Sequence, residues 1–341
     1  MMNNCHANFD YCWSKKQKSN PNISTNNFKA IEKLGKGAFG FVYLVKWYYN
    51  EDNIHENFLC VLKITSKQQL MKKKAHLFAL RERDILQCCH HPNLVKLFTS
   101  FKDESNIYLV LEFIAGGDLF SYMQIHERLN EDHTRFYIGQ IILAFEYLHC
   151  CHIIYRDLKP ENIILTDRGY IKLIDFGFAK RINKSTSTMC GTPQFMSPEI
   201  ILQKKYNKCV DYWALGILTY ELLTGIVPFD GENNEDLFDA ILHNPIYFQS
   251  TIFTTISANF VQGLLTRNPL QRLGCTINNS LDIRYHPWFQ QYLYSFEQLE
   301  QQSIPAFYIP SNLTVYTNYP LKFIEVTPLK NPINDKIFDN F

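Results

Sequence analysis

The chain is 341 residues long and 46% hydrophobic, and its 34 basic and 33 acidic side chains leave a formal charge of +1. That length builds one large domain or two ordinary ones. The balanced charge excludes a general nucleic-acid binder, which needs a cationic surplus against phosphate, and 26 Phe, 20 Tyr and 4 Trp exclude a disordered chain.

Residues 1–27 are polar, rich in Asn, Ser and Lys, and read as a loosely held arm. The start of the chain has no apolar run suited to a signal peptide and no glycine after the first Met for myristoylation. The expected location is the cytoplasm, with the nucleus also open to the chain. The ten cysteines include the neighbours Cys88–Cys89 and Cys150–Cys151 but no CxxC pair, so neither disulfides nor structural zinc is expected.

From Phe28 to Lys63, β-rich runs flank a glycine-rich turn and a polar insert at Asn50 to Asn57, which together predict an antiparallel sheet. Gln68 to Cys89 has helical composition, and the runs LVKLFTSF and NIYLVLEFI predict two further strands. After Gly116 and Gly117 the pattern turns helical. Asn130 can cap a helix whose first turn carries Glu131 and Asp132, favourable at the positive dipole end. Ile138, Ile141, Ile142, Phe145 and Leu148 share one face of that helix. Trp213 to Phe229 is the most apolar long run, but it carries Glu221 and is short for a bilayer, so it reads as a buried helix with no transmembrane segment. A small β-rich lobe therefore precedes a larger helical one, with a boundary near Ala115 to Gly117, and the cleft between such lobes is where a ligand is expected.

Three motifs carry chemistry. Gly35, Gly37 and Gly40 stand in GxGxxG spacing between strand-like segments, where bare backbone can approach phosphates, although a plain glycine-rich hairpin has the same look. A dinucleotide-binding turn would put a helix directly after the glycines, and FGFVYLV reads as strand instead. YRDLKPEN supplies Asp157, Lys159 and Asn162, and DFG supplies Asp175. These offer a group to orient a hydroxyl, a cation for a γ-phosphate and oxygen ligands for Mg²⁺, which are the needs of phosphoryl transfer.

In this order, together with Lys63, Glu82 and Ser197-Pro198-Glu199, the motifs resemble the eukaryotic protein kinases. DFGFAK, CGTP, KKYNKCVDYWALG and the ending FDNF narrow the resemblance to the AGC group and, within it, to the cAMP-dependent protein kinases. It implies an α+β, bilobal kinase fold: a β-rich N-lobe over 28–115, an α-helical C-lobe over 116–289, and a C-terminal tail over 290–341 wrapping both. It implies a serine/threonine kinase that uses ATP and two Mg²⁺ ions. The rivals are another AGC kinase not controlled by cAMP and a pseudokinase scaffold. Intact Lys63, Asp157, Asn162 and Asp175 count against the second.

Residue by residue, the resemblance makes Lys63 the ligand of the α- and β-phosphates, paired with Glu82. Asp157 would orient the substrate hydroxyl, Lys159 would neutralise the γ-phosphoryl, and Asn162 and Asp175 would hold the metal. Leu34, Val42, Val61, Leu111 and Ile164 would line the adenine pocket, with a hinge from Glu112 to Ala115 that includes Ile114, and Tyr316 covering the base. Thr188 would be phosphorylated, with Arg156 and Lys180 receiving its phosphate, and Thr327 would be a second phosphosite. Glu199 and Arg272 would form a buried pair, and Phe338 and Phe341 would dock on the small lobe. Asp118, Glu161 and Glu221 would receive substrate arginines, while Met189, Pro193 and Met196 would take the apolar residue after the phosphorylated one. Cys190 reads as a buried thiol more readily than as a redox site.

The chain departs from the family at several points. Val61 stands where Ala is usual, Phe78 where a His reaches the activation-segment phosphate, Asp118 where the acid is Glu, and Gln194 and Phe195 where Glu and Tyr are found. PLKFIE follows Tyr319 in place of an acidic cluster. Control by cAMP would require a separate cAMP-binding regulatory subunit. For that contact Lys204 is retained, whereas Ser187 replaces a Trp.

Overall fold

In the computed structural model the described residues are 2–16, 18–48, 57–291, 294–310, 335–339 and 341. They fall into two compact units. The smaller holds residues 8–90 and 95–115 with the described terminal residues; the larger holds 2–7, 91–94 and 116–310.

Residues expected to form a loose arm instead make helix α1, Met2–Ser14. In the smaller unit it is tied down by buried Phe9, which stacks on Trp13, and by the Lys16–Asp84 ion pair that follows it. One large aromatic on a short polar segment is too weak a pattern to announce a packed helix.

Five antiparallel strands follow: β1 (Phe28–Gly37), β2 (Gly40–Tyr48), β3 (Asn57–Ser66), β4 (Leu97–Lys102) and β5 (Asn106–Glu112), in the order β1-β2-β3-β5-β4. Side chains alternate across a strand. One sheet face therefore builds a core of Phe28, Val45, Trp47, Cys60, Leu62, Phe101, Tyr108 and Val110, and the other face carries Val42, Val61, Lys63 and Leu111. Between β3 and β4 the single helical stretch expected is two helices, α2 (Lys67–Lys72) and α3 (His76–Cys88). Lys74, at φ 54°, breaks them, a backbone event that composition does not signal.

The larger unit is mostly helical: α4 (Leu119–His126), α5 (Glu131–Cys150), α6 (Pro198–Ile201), α7 (Cys209–Thr224), α8 (Asn234–His243) and α9 (Thr255–Leu264). Two short ladders join β6 (Ile153–Ile154) to β9 (Lys180–Arg181), and β7 (Ile163–Leu165) to β8 (Ile171–Leu173). Asn130 caps α5 by accepting the His133 N–H. From His133 to Leu148 that helix is buried on every side, so its apolar face is not a boundary with solvent. The run expected to be one helix to Phe229 stops at Thr224. Gly225 there adopts φ 81°, and a Cβ would lie 2.4 Å from the Glu127 carbonyl oxygen.

Phe307 packs on His133 and Phe136, and Tyr308 on Tyr122. Of the tail positions named above, Tyr316, Tyr319 and Thr327 lie outside the described residues. The expectation of no disulfide is overturned: Cys209 and Cys275, separated by 66 residues, are paired with their Cα atoms 5.8 Å apart. Tertiary folding brings them together, and spacing rules see only neighbours. No described helix is long and apolar enough to cross a membrane.

Candidate active site

The glycines of the β1–β2 hairpin have different reasons to be glycine. A Cβ on Gly40 would lie 1.8 Å from the Ile64 carbonyl oxygen, so the fold itself demands a bare backbone there. Gly35 has nothing within 4 Å, and a Cβ on Gly37 would touch only the Gly40 oxygen at 4.0 Å. Packing does not require those two, which leaves the backbone on that side open to a ligand.

The β2–β3 register sets Val42 opposite Lys63, and the β3–β5 register sets Val61 opposite Leu111. Opposed residues share a face, so three of the expected adenine-lining residues gather around the lysine. Lys63 Nζ lies 2.6 Å from Glu82 Oε1 on α3, and the carboxylate is the more buried partner. Leu34 on β1 is 44% exposed. Glu112 exchanges backbone and side-chain hydrogen bonds with Lys96, and Ile114 beyond it is half-buried. Phe78 sits on α3 with the Arg81 guanidinium over its ring.

Phe338 and Phe341 are both buried in the smaller unit. Lys102 donates to the Phe338 carbonyl at 2.6 Å, and the Arg83 guanidinium lies 5.0 Å from the Phe341 ring centre.

In the larger unit the loop between β6 and β7 holds Asp157 at the centre of a closed network. Thr192 Oγ1 donates to Asp157 Oδ1 at 2.9 Å, and Asn162 Nδ2 donates to Oδ2 at 2.8 Å and to the Asp157 carbonyl at 2.9 Å. Lys159 Nζ is 3.3 Å from Asp157 Oδ2 and donates to Thr192 Oγ1 at 3.1 Å. The loop is hung from α7: Asp211 accepts the N–H groups of Tyr155 at 3.0 Å and Arg156 at 2.8 Å, and His149 Nε2 meets the same carboxylate at 2.8 Å. Asp211 and Thr192 have no role that sequence motifs alone assign. Each lies inside a quoted motif, and their contacts cross 35 to 62 residues.

Asn162 turns its nitrogen to Asp157, which leaves its amide oxygen as the group able to face a cation. Its carbonyl accepts the Ile174 N–H at 2.9 Å, placing it beside Asp175, whose exposed carboxylate accepts the Gly177 N–H. Hard oxygen donors of this kind fit Mg²⁺, which commonly completes its shell with water and substrate phosphate. No group of three or more His, Cys, Asp or Glu among the described residues forms a metal centre by itself.

Arg156 donates to the Phe178 carbonyl at 2.7 Å and the Tyr206 hydroxyl at 2.9 Å, while its buried Nη2 has no partner among the described residues. Tyr206 in turn donates to the Thr188 carbonyl at 2.5 Å. Lys180 reaches Thr186 at 2.8 Å rather than Thr188 itself. Glu199 and Arg272 form a buried two-pronged pair at 2.7 and 2.9 Å. Burial pushes the Cys190 thiol up, and Cys190 is a buried thiol.

The three acids expected to receive arginines differ. Asp118 is taken up as the N-cap of α4, accepting the Ser121 N–H and hydroxyl. Glu161 is exposed, and Glu221 on α7 is half-buried with a buried Oε2 that has no partner among the described residues. Burial, and then the charge of Glu161, push the Glu221 carboxyl up to about 7. Met196 is buried against Ile154, Ile200, Tyr206 and Val210, whereas Met189 stays exposed, Pro193 half-buried, and Ile164 half-buried in β7.

Residues 28–289 match the protein kinase domain family. The chain belongs to that family: it is a protein kinase of the serine/threonine class, using ATP and Mg²⁺ and acting on protein substrates. It is 38% identical over 294 residues to a cAMP-dependent protein kinase catalytic subunit of Drosophila melanogaster, covering 85% of this chain and 80% of that one. It is 37% identical to cAMP-dependent protein kinase type 3 of Saccharomyces cerevisiae, covering 84% and 70%. It is equally 37% identical to the serine/threonine-protein kinase sgk-1 of Caenorhabditis elegans, covering 89% and 65%.

Proposed function

We propose that the chain transfers the ATP γ-phosphoryl group to Ser or Thr preceded by Arg or Lys, as the catalytic subunit of a cAMP-dependent kinase. The observation that carries the substrate choice is Glu221 beside Glu161: a half-buried side chain with a buried oxygen lacking a partner among the described residues and a raised affinity for a proton. A guanidinium would supply the missing donors, and a charge-assisted hydrogen bond is worth about 1.5–3 kcal/mol. Asp118, already capping α4, contributes less.

In the transfer, Asp157 accepts and orients the substrate hydroxyl, held in place by Thr192 and Asn162. Lys159 offsets negative charge on the group in flight, and Lys63, fixed by Glu82, orients the nucleotide phosphates. Two Mg²⁺ ions, held by Asn162 and Asp175, would neutralise those phosphates. A phosphate on Thr188 would meet the idle Arg156 Nη2 and order the segment.

Purified chain phosphorylated on Thr188, given Mg-ATP, should phosphorylate an Arg-Arg-x-Ser peptide. Absence of transfer to any Ser or Thr peptide would leave the pseudokinase reading standing. The second reading is an AGC kinase without cAMP control, which the equal identity to a relative not named for cAMP leaves standing. A pull-down decides between them: a cAMP-binding protein that co-purifies and is released by cAMP supports the first, and its absence the second.

A further inference from the structure

Arg272 is wholly buried, so its guanidinium depends on every partner it keeps. Two prongs hold Glu199 of α6, Nη1 also donates to the Cys209 carbonyl at 2.8 Å, and Nε donates to the Thr266 carbonyl at 3.0 Å. The Cys275 N–H donates to the Arg272 carbonyl at 2.9 Å. The Cys209–Cys275 disulfide therefore closes a ring: guanidinium to Cys209 carbonyl, Cys209 sulfur to Cys275, and Cys275 backbone to Arg272. Two residues beyond Cys209, Asp211 holds the backbone of the Asp157 loop. One covalent bridge thus joins the anchor of residues 186–199 to the anchor of the catalytic loop.

Exposure is uneven across the bridge. Cys209 is buried at the start of α7, while Cys275 is half-buried on a loop. An incoming thiolate meets the Cys275 sulfur first. Burial pushes the Cys60 thiol up to about 12 and also raises Cys88 and Cys190, which disfavours their thiolates.

We propose that Cys209 and Cys275 are a reversible thiol–disulfide modification site that clamps the Glu199–Arg272 anchor when oxidised and loosens it when reduced. The attacking thiolate of a dithiol reductant bonds to Cys275 Sγ and breaks the bridge, and Cys209 leaves as a thiolate that takes a proton. The second thiol of the reductant then displaces Cys275. Two electrons and two protons end on the protein, and the reductant leaves as a disulfide. Oxidised glutathione reverses the exchange. The consequence for residues 186–199 rests on their reading as the activation segment, so the test reads covalent state and backbone protection and not catalysis.

The full chain, equilibrated with glutathione mixtures of rising oxidation, is alkylated, digested without reductant and examined by mass spectrometry. The expected product is a peptide linking Cys209 to Cys275, with two fewer alkylated thiols than the ten in the sequence. Hydrogen exchange over residues 186–211 should be about tenfold faster in the reduced chain, above any change elsewhere, and Tm should fall by roughly 5–10 °C. Cys275→Ala, at the half-exposed end, should behave as reduced chain in every mixture, and Cys209→Ala serves if the first variant misfolds. Failure to form the linked peptide at any ratio overturns the proposal, as does a linked peptide with unchanged exchange over 186–211. Neither result bears on whether the chain phosphorylates peptides.

Discussion

The two units hold their candidate catalytic side chains in different ways. In the larger, Asp157 is fixed by Thr192, Asn162 and Lys159, and its loop hangs from Asp211 in the buried first turn of α7. In the smaller, the candidate phosphate-binding Lys63 stands on a sheet face and meets Glu82 of α3 at 2.6 Å. The larger unit is thus pre-organised for chemistry, where misplacement is most costly. The smaller depends on the position of α3, and on the terminal Phe338 and Phe341 that complete its core.

That contrast can be broken at four points. Asp157→Asn removes the group proposed to take the hydroxyl proton and should lower kcat about 10³-fold with Tm little changed; an unfolded variant would show that the network is structural first. Phe341→Ala removes a buried ring and should cost about 3 kcal/mol. Denaturant unfolding should then show the smaller unit melting ahead of the larger, and a single unchanged transition would deny the terminus its role. Lys63→Met should lower kcat about 10²-fold in steady-state assays, with Glu82→Gln smaller still because the ammonium survives.

Glu221→Gln should lower kcat/KM for Arg-containing peptides about tenfold and leave Ala-substituted peptides unaffected. The sign of the pH effect follows from the raised carboxyl. The folded chain keeps a proton that the unfolded chain has shed, so this contribution to stability is complete below the usual carboxylate range and is lost as pH rises through about 7. Arginine prefers the ionised form. Between pH 6 and 8, peptide affinity should therefore rise while stability of the free chain drifts down, and Glu221→Gln should flatten both trends.

Much of this arrangement was legible in the sequence, because kinase motifs are short and local: Lys63, Asp157, Asn162 and Asp175 each sit in a recognisable run. What escaped was set by tertiary distance. Asp211 supports a loop 55 residues earlier, and Cys275 reaches back to Cys209. The break at Lys74 and the burial of Phe9 depend on backbone geometry and on a partner surface, neither of which periodicity encodes. Asp118 has a second role that the motif match does not reveal. A carboxylate matched to a substrate role is also the best available cap for the helix that begins beside it.

The most direct test is a paired measurement of kcat/KM with Mg-ATP for an Arg-Arg-x-Ser peptide and its Ala-Ala counterpart, using wild-type chain and Glu221→Gln. Transfer to serine, with an arginine preference that shrinks about tenfold in the variant, is the expected result. Transfer without arginine preference, or a preference that Glu221→Gln leaves intact, would contradict the assignment of substrate choice to that half-buried acid.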